Sequence, residues 1–195
     1  WVITAQDVTE QAQLTAELRH QSLHDTLTGL PNRGLLFDRI QHSVDLRTRS
    51  EESGLSLVLV DIDDFKSFND SLGHTTGDEL LRAVAERLST CVRYGDTVAR
   101  LGGDEFVILL EGTDEVEAMV LAERALESLA LPVHIASGSF AVRASAGVVC
   151  SYDDASPVEL LRSADIAMYA SKRDGKSKVT LFNPDMHDDA NRQFE

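Results

Sequence analysis

The chain has 195 residues, 43% of them hydrophobic and 26% charged, which is enough for one globular domain with a sizeable core and some flanking sequence. Its 18 Lys and Arg against 33 Asp and Glu give a net charge of −15, so we do not expect a basic face that binds nucleic acid or an anionic membrane. The apolar runs, such as residues 106–110, are too short to span a bilayer, and the first residues do not resemble a signal peptide. These features predict a soluble cytoplasmic protein.

The two ends of the chain differ from its middle. Residues 1–8 look like the end of a preceding domain, and residues 9–24 predict a polar, Gln-rich helix. That helix has too little apolar surface to fold alone, so we expect it to pack against another domain or a second copy of itself. Asn32 is placed to cap a following helix, and we expect one domain over residues 25–182, followed by a polar segment at 183–195.

Within that domain, helical and strand-like patterns alternate along the chain. Helices are predicted over residues 34–49, 77–91, 114–129 and 157–172, and strands over 55–62, 97–101, 106–110 and 140–149. The run at 55–62 is almost continuously apolar, which is typical of a strand buried on both faces. A hairpin is predicted where residues 102–105 join two strands. The fold class is therefore α/β (α+β), a mixed sheet with helices on at least one face.

The hairpin carries residues whose type needs an explanation. Gly102 and Gly103 can adopt positive φ and leave space for a ligand against the backbone. The carboxylates of Asp104 and Glu105 follow at the tip of the hairpin.

A second acidic cluster follows the apolar strand at Asp61, Asp63 and Asp64. If this strand lies beside the hairpin, about 4.8 Å away, Asp61 and Asp104 could share a hard cation such as Mg²⁺. Two carboxylates that hold metal over a phosphate suit phosphoryl transfer. The alternative is that these are ordinary acidic turn residues, and spacing alone does not decide between the two.

A set of short motifs in a fixed order carries a family resemblance. They are DTLTGLPNR (25–33), DIDDFK (61–66), ND (69–70), GH (73–74), GD (77–78), RLGGDEF (100–106), AD (164–165) and YASK (169–172). Together they resemble the GGDEF family of diguanylate cyclases over residues 25–182. The resemblance implies a nucleotidyl-cyclase and polymerase-palm-like fold. It also implies an enzyme that condenses two GTP into cyclic di-GMP and two pyrophosphates.

The resemblance also implies roles for the acidic residues. Asp61, the main-chain carbonyl of Ile62 and Asp104 correspond to the ligands of Mg²⁺ (or Mn²⁺). Glu105 would assist the metals or the deprotonation of the attacking 3′-hydroxyl. Lys66 joins Asp61, Asp104 and Glu105 in the implied catalytic set.

Further positions match the substrate-binding residues of the family. They are Phe65, Asn69, Asp78, Gly102, Gly103, Lys172 and Lys176. Asn69 and Asp78 match the residues that recognise guanine, whose N–H donors suit carboxylate and amide oxygens. For Asp78 the alternative is helix capping near Gly77. The lysines, with Lys66, would neutralise phosphates.

One motif departs from the family pattern. Gly175-Lys176-Ser177 stands where the family has Arg and Asn after the glycine, so the bidentate contact of an arginine is lost and triphosphate affinity could be weaker. The same three residues do not form a phosphate-binding P-loop, because Ala170 replaces its first glycine and a helix precedes it.

Arg93 and Asp96 lie just before the hairpin, where the resemblance implies an inhibitory site for the product, with Arg124 as an additional contact. Arginine can bind guanine or phosphate, and aspartate can accept guanine N–H groups. The alternative is a surface ion pair.

The resemblance extends to the flanks and to assembly. Residues 1–8 look like the exit of a PAS sensory domain, 9–24 like a signalling linker, and 183–195 like the approach to an EAL phosphodiesterase domain. Because each active site holds one GTP, catalysis implies a homodimer. The rival function is a non-catalytic domain that binds GTP or cyclic di-GMP and regulates an attached phosphodiesterase. A cyclase acting on ATP, or one making a mixed dinucleotide, is disfavoured by Asn69 and Asp78 but stays open.

Overall fold

The structure is a computed structural model that describes residues 22–47, 54–151 and 155–187. Its helices are α1 (Arg33–Arg47), α2 (Phe65–Leu72), α3 (His74–Cys91), α4 (Glu115–Ala130) and α5 (Pro157–Arg173). Its strands are β1 (Leu55–Ile62), β2 (Thr97–Gly102), β3 (Glu105–Glu111), β4 (Val133–Ile135), β5 (Gly138–Phe140), β6 (Ala144–Ser151) and β7 (Val179–Leu181). The predicted PAS-like end, most of the predicted linker helix and residues 188–195 lie outside the described residues.

The strands form a five-stranded sheet in the order β2-β3-β1-β6-β7, and β4 and β5 form a separate two-stranded hairpin. The central strand β1 is antiparallel to both β3 and β6, whereas β7 runs parallel to β6. The predicted mixed sheet is therefore confirmed. The strand that ends in the acidic cluster lies directly beside the hairpin strand β3.

Helices cover both faces of this sheet, as the apolar run in β1 predicts. Val58, Val60 and Ile62 point into a core shared with α3 and α4. Leu57 and Leu59 alternate with them and pack into a second core shared with α1 and α5. All eight residues of β1 are buried, because the side chains of a strand alternate between two covered faces.

Short-range signals set the helix starts. The Asn32 side chain accepts a hydrogen bond from the Leu35 amide at 3.1 Å, which confirms it as the cap of α1. Asp114 and Ser156 close capping boxes at the starts of α4 and α5.

The sequence predicted one strand over residues 140–149; this is correct for 144–149, which belong to β6, and wrong for 141–143. The structure has β5 and β6 there, and the Arg143 carbonyl between them accepts the Asp63 amide at 2.9 Å. The break between β5 and β6 lies at this hydrogen bond, and neither Gly nor Pro marks it in the sequence. Helix α2 and strand β4 were not predicted, because eight and three residues are too few for a clear periodicity.

No helix in the described part of the chain combines the length and the apolar character that crossing a membrane requires.

Candidate functional site

The pairing of β1 with β3 brings the two acidic clusters together. Asp61 lies opposite Glu105 in the antiparallel register, and the Ile62 amide donates to the Asp104 carbonyl at 3.3 Å. We call Asp61, Asp104 and Glu105 the carboxylate edge. Its formation confirms that the apolar strand and the hairpin are neighbours, which sequence spacing alone left open.

The hairpin that carries this edge needs its two glycines for their backbone conformation. Gly102 has φ of +146° and Gly103 φ of +54°, and the ladder between β2 and β3 shifts register here. A Cβ on either glycine would meet nothing within 4 Å, so the requirement is conformational and not one of space. The chain thereby reverses within a very tight turn directly before Asp104.

The carboxylate edge concentrates negative charge in a partly buried place. Burial raises the pKa of Asp61, which is 7% exposed; Lys172 opposes this effect, and repulsion from Asp104 adds to it. Burial also raises the pKa of Glu105, with repulsion from Asp61 as the next cause. A cation is the natural partner for such a cluster.

A cation of the protein itself already contacts the edge. Lys172 extends from α5 and places its Nζ 2.6 Å from Asp61 Oδ1. Carboxylates with a main-chain carbonyl at Ile62 form an all-oxygen donor set, which fits Mg²⁺ or Mn²⁺. Across the described residues, no three or more His, Cys, Asp or Glu side chains are arranged so that they alone could hold a metal ion. The other ligands of a metal would then be waters or substrate phosphates, as is usual for Mg²⁺.

Asp63 and Asp64 do not join the edge. The Asp63 carboxylate accepts hydrogen bonds from the Ser145 hydroxyl at 2.8 Å and from the Ser177 amide at 3.1 Å. Asp64 pairs with Lys176 Nζ at 2.8 Å. Both aspartates therefore hold the 175–177 loop against the site, and Lys176 and Ser177 have φ of +63° and +53° within it. The loop with the unusual Gly-Lys-Ser sequence is thus fixed beside the carboxylate edge.

A second polar feature lies between α2 and α3. Asn69 Oδ1 is buried and has no hydrogen-bond partner in the described structure, and a Cβ on Gly77 would lie 1.8 Å from it. The absence of a side chain at Gly77 therefore makes room for the Asn69 amide. An unpaired buried acceptor costs about 1–3 kcal/mol, which a ligand N–H donor would offset.

Asp78 follows one residue after Gly77. The capping explanation for Asp78 is wrong, because α3 begins earlier, at His74, and its N-cap residue is Gly73. Phe65, 8% exposed, belongs to the core below Asn69, with its ring tip also near Gly77. Lys66 is exposed on α2 and forms no ion pair with a described residue, so the structure does not bring it onto the edge.

Comparisons with known proteins agree with this geometry. Residues 22–178 match the family described as "Diguanylate cyclase, GGDEF domain". The chain is 38% identical over 188 residues to the bifunctional diguanylate cyclase/cyclic di-GMP phosphodiesterase MucR of Pseudomonas aeruginosa, covering 96% of this chain and 27% of MucR. It is 33% identical to the cyclic di-GMP phosphodiesterase PdeR of Escherichia coli, covering 95% of this chain and 28% of PdeR.

A solved structure is similar over nearly the whole chain. The coiled coil and GGDEF domain of DgcB from Caulobacter crescentus, in complex with c-di-GMP, superposes with a TM-score of 0.85 at 27% identity, covering 92% of this chain and 96% of that one. The chain belongs to the GGDEF family. The predicted family and fold are thereby confirmed. The GGDEF domain spans little more than a quarter of the length of the curated relatives MucR and PdeR.

The predicted inhibitory residues of this GGDEF domain bond mainly to the domain itself. Asp96 accepts from the Arg93 amide at 3.2 Å and from Arg93 Nε at 3.4 Å, and its side chain is only 2% exposed. Arg93 also donates to the Glu111 carbonyl, and Arg124 donates to the Cys91 carbonyl at 2.6 Å. The ion pair of the alternative explanation is therefore present. A role in product binding stays a prediction.

A cavity of about 480 Å³ opens beside this turn. Arg93, Tyr94 and Asp96 line one side of it, and Arg39 and His42 from α1 line another. Arg124 is not among the lining residues. If product binds here, its contacts with the GGDEF domain include residues of α1 that the sequence did not indicate.

Sequence reasoning assigned no role to two further charged groups near the carboxylate edge. Asp165 of α5 is two helical turns before Lys172; burial raises its pKa, and it adds to the negative field at Glu105. Arg100 forms an ion pair with Asp25 at 2.9 Å. Asp165 and Arg100 both lie within motifs of the family resemblance. The sequence also shows Asp165 and Lys172 two helical turns apart, a spacing that places them on one face of the helix.

Proposed function

We propose that this GGDEF domain is a diguanylate cyclase that condenses two GTP into cyclic di-GMP and two pyrophosphates. The observation that carries the proposal is the carboxylate edge, in which Asp61 and Glu105 from neighbouring strands meet beside Asp104. A domain that only binds nucleotide has no need of three carboxylates held together against their mutual repulsion.

Mg²⁺ or Mn²⁺ would be held by Asp61, the Ile62 carbonyl and Asp104. When bound, the metal supplies charge neutralisation for the triphosphate and lowers the pKa of the attacking 3′-hydroxyl. Glu105 accepts the proton of that hydroxyl, directly or through water. Glu105 lies opposite Asp61 in the strand register, which places its carboxylate beside the proposed metal ligands.

The lysines orient the triphosphate. Lys172, now paired with Asp61, turns its ammonium group to a phosphate oxygen when the substrate arrives. Lys176 does the same from the 175–177 loop, where it now pairs with Asp64. Lys66, exposed on α2, adds a third positive charge on the approach to the site. Gly102 and Gly103 leave the backbone open for the triphosphate to lie close.

The guanine base binds between α2 and α3. Asn69 Oδ1 accepts an N–H of the base, and the Asp78 carboxylate accepts from the Watson–Crick edge. Adenine offers its amino group at a different place and no N1–H, so this pair of acceptors favours GTP. Phe65 lies in the core beside Gly77, with its Cζ 3.2 Å from where a Cβ of that residue would stand.

Catalysis requires two copies of the domain. Each active site holds one GTP, and the new phosphodiester bonds form between the two nucleotides, so the carboxylate edges of a homodimer face one another. Residues 9–24 would set this arrangement as a linker helix, with a PAS-like domain before it, and residues 183–195 would be a linker towards an EAL domain. The product would inhibit the enzyme at Arg93, Asp96 and Arg124. We propose that the enzyme acts in the cytoplasm and that this part of the chain contacts neither nucleic acid nor membrane.

A second candidate function is a regulatory domain that binds GTP or cyclic di-GMP without turnover. It is favoured by the likeness to PdeR, which is named as a cyclic di-GMP phosphodiesterase. In that case the domain would regulate an attached phosphodiesterase.

Chromatography of nucleotides after incubation with GTP and Mg²⁺, at low and high protein concentration, tests these functions. We expect cyclic di-GMP to form with a more than linear dependence on protein concentration. GTP that binds and is returned unchanged at every concentration would contradict the cyclase and favour the regulatory domain.

A further inference from the structure

A partly buried ion pair connects the hairpin of the carboxylate edge to the turn that follows the predicted linker helix. Arg100 Nη1 lies 2.9 Å from Asp25 Oδ1, and the two side chains are 10% and 22% exposed. The same guanidinium group donates from Nε at 3.1 Å and from Nη2 at 2.7 Å to the Gly103 carbonyl. One arginine thus contacts both the turn and the hairpin.

The turn end of this connection is held firmly. Asp25 Oδ1 also accepts the Thr28 amide at 2.9 Å and the Thr28 hydroxyl at 2.7 Å. The Asp25 amide donates to the Leu30 carbonyl at 2.8 Å, and the Arg100 amide donates to the Pro31 carbonyl at 2.9 Å. The Asp25 carboxylate is therefore a fixed point against which the guanidinium group is oriented.

The hairpin end is a tight turn, which the ladder of β2 and β3 closes between Gly102 and Glu105. Gly102 and Gly103 carry no side chains, and both have positive φ. The Gly103 carbonyl belongs to the planar peptide group that leads into Asp104, so its direction sets where Asp104 begins. Beyond that point, the Asp104 carbonyl accepts the Ile62 amide at 3.3 Å.

We propose that Arg100 and Asp25 are positioning residues for Asp104. The ion pair aims the guanidinium group at the Gly103 carbonyl, and this contact fixes the peptide from which the Asp104 carboxylate projects. The inference rests on the proposed function, in which Asp104 is a metal ligand. It adds that the turn at residues 25–31 and the carboxylate edge move as one unit, so a change in the turn reaches the metal site.

The planar fork of arginine is essential to this role. It can hold the carbonyl with two N–H groups while a third binds the carboxylate, whereas the ammonium group of lysine is a point charge on a flexible stem. Arg100→Lys therefore keeps the charge and loses the positioning.

The test compares Asp25→Asn and Arg100→Lys with Asp38→Asn, which removes the same charge from an exposed position on α1. Three quantities report the positioning role: kcat with GTP, the Mg²⁺ concentration that gives half the thermal shift, and amide hydrogen exchange at residues 102–105. KM for GTP is measured beside them as the quantity that should not change. We expect kcat to fall about tenfold and the Mg²⁺ requirement to rise about tenfold, as for groups that orient metal ligands. Exchange in the hairpin should accelerate while KM for GTP stays within about twofold of the wild-type value.

If Arg100→Lys fails to fold, Thr28→Val provides a milder change that removes one hydrogen bond to Asp25 and is expected to shift the same three quantities less. The proposal is overturned if the variants lower Tm but leave hairpin exchange and the Mg²⁺ requirement as in Asp38→Asn. A wild-type chain that makes no cyclic di-GMP would reject the cyclase. The exchange and Mg²⁺ measurements would still decide the positioning role in that case.

Discussion

The carboxylate edge and the turn at residues 93–96 both carry charged side chains that the sequence indicates as functional. The carboxylates of the two places differ in their electrostatic surroundings. At the edge, burial and mutual repulsion raise the pKa of Asp61 and of Glu105. The positive charge in contact with Asp61 is the ammonium group at the end of the long Lys172 side chain. At the turn, Asp96 is almost fully buried and accepts two hydrogen bonds from Arg93.

The two places therefore differ in how their carboxylates are paired: the carboxylate edge keeps carboxylates that repel one another and pairs Asp61 with Lys172, whereas Asp96 is held by Arg93. A cation bound at the carboxylate edge reduces the repulsion between the carboxylates of Asp61, Asp104 and Glu105. At the turn, Arg93 donates to the Glu111 carbonyl, and a ligand that displaces this hydrogen bond spends part of its binding free energy on the change. Of the five predictions below, those for Asp104, Arg93 and Mg²⁺ test this contrast directly, and the first has the largest expected effect.

Asp104→Asn should remove turnover and leave the fold intact. The amide keeps the shape of the carboxylate but loses the charge, so the rate of cyclic di-GMP formation is expected to fall at least about 100-fold. Product chromatography and circular dichroism measure the two effects. A folded variant that still forms product at the wild-type rate would contradict the assignment of Asp104 as a metal ligand.

Asn69→Ala should raise KM for GTP about tenfold, or ~1.4 kcal/mol, because the base loses one hydrogen-bond acceptor. Inosine triphosphate lacks the guanine amino group and serves as a second substrate that reports which N–H is lost. Asp70→Asn, at the exposed neighbouring position on α2, is the matched control and should leave KM unchanged.

Gly77→Ala tests the position of the Asn69 amide from the side of α3. A Cβ at Gly77 would lie 1.8 Å from Asn69 Oδ1, so the amide must move. Because the nearest clash is with the Asn69 amide, KM for GTP should rise; Tm should also fall, because the buried Phe65 ring lies 3.2 Å from the same Cβ. A large loss of stability with unchanged KM would mean that Gly77 serves the packing of α2 on α3 and not the ligand.

Arg93→Ala should weaken inhibition by cyclic di-GMP about fivefold, or ~1 kcal/mol, without lowering the initial rate. The modest size follows from the 60% exposure of the Arg93 side chain. Arg82→Ala, an exposed position on α3, removes the same charge and should leave inhibition unchanged. Equal inhibition in wild type and Arg93→Ala would show that the ion pair with Asp96 is only structural.

Mg²⁺ without nucleotide should raise Tm at pH 7 and have little effect near pH 4. Groups with raised folded pKa values stabilise the protein below their ordinary values and lose that contribution as pH rises through the folded values. At neutral pH, Mg²⁺ at ten times its Kd restores ~1.4 kcal/mol, a shift of roughly 3–6 °C for a domain of this size.

Asp61→Asn should abolish this Mg²⁺ shift, and Asp70→Asn should retain it. A shift of equal size at both pH values would indicate that the metal binds elsewhere on this acidic chain.

Much of the fold could be predicted from local sequence patterns. The apolar run of β1 implied burial on both faces, and Asn32, Asp114 and Ser156 mark helix starts by capping chemistry. Helix α2 and the break before β6 could not be predicted. The first is too short for its period to be clear, and the second depends on a hydrogen bond between Asp63 and Arg143.

The sequence by itself determined the family, the mixed sheet and the residue types of the site, because these follow from motifs and periodicities that are local in the chain. Only the tertiary structure decided which charges meet: Lys172 with Asp61, and Arg100 with both Asp25 and Gly103. Lys172 and Asp61, and likewise Arg100 and Asp25, are far apart in sequence, and a single sequence does not record distances between segments. The packing of α5 and of the 25–31 turn against the sheet sets those distances.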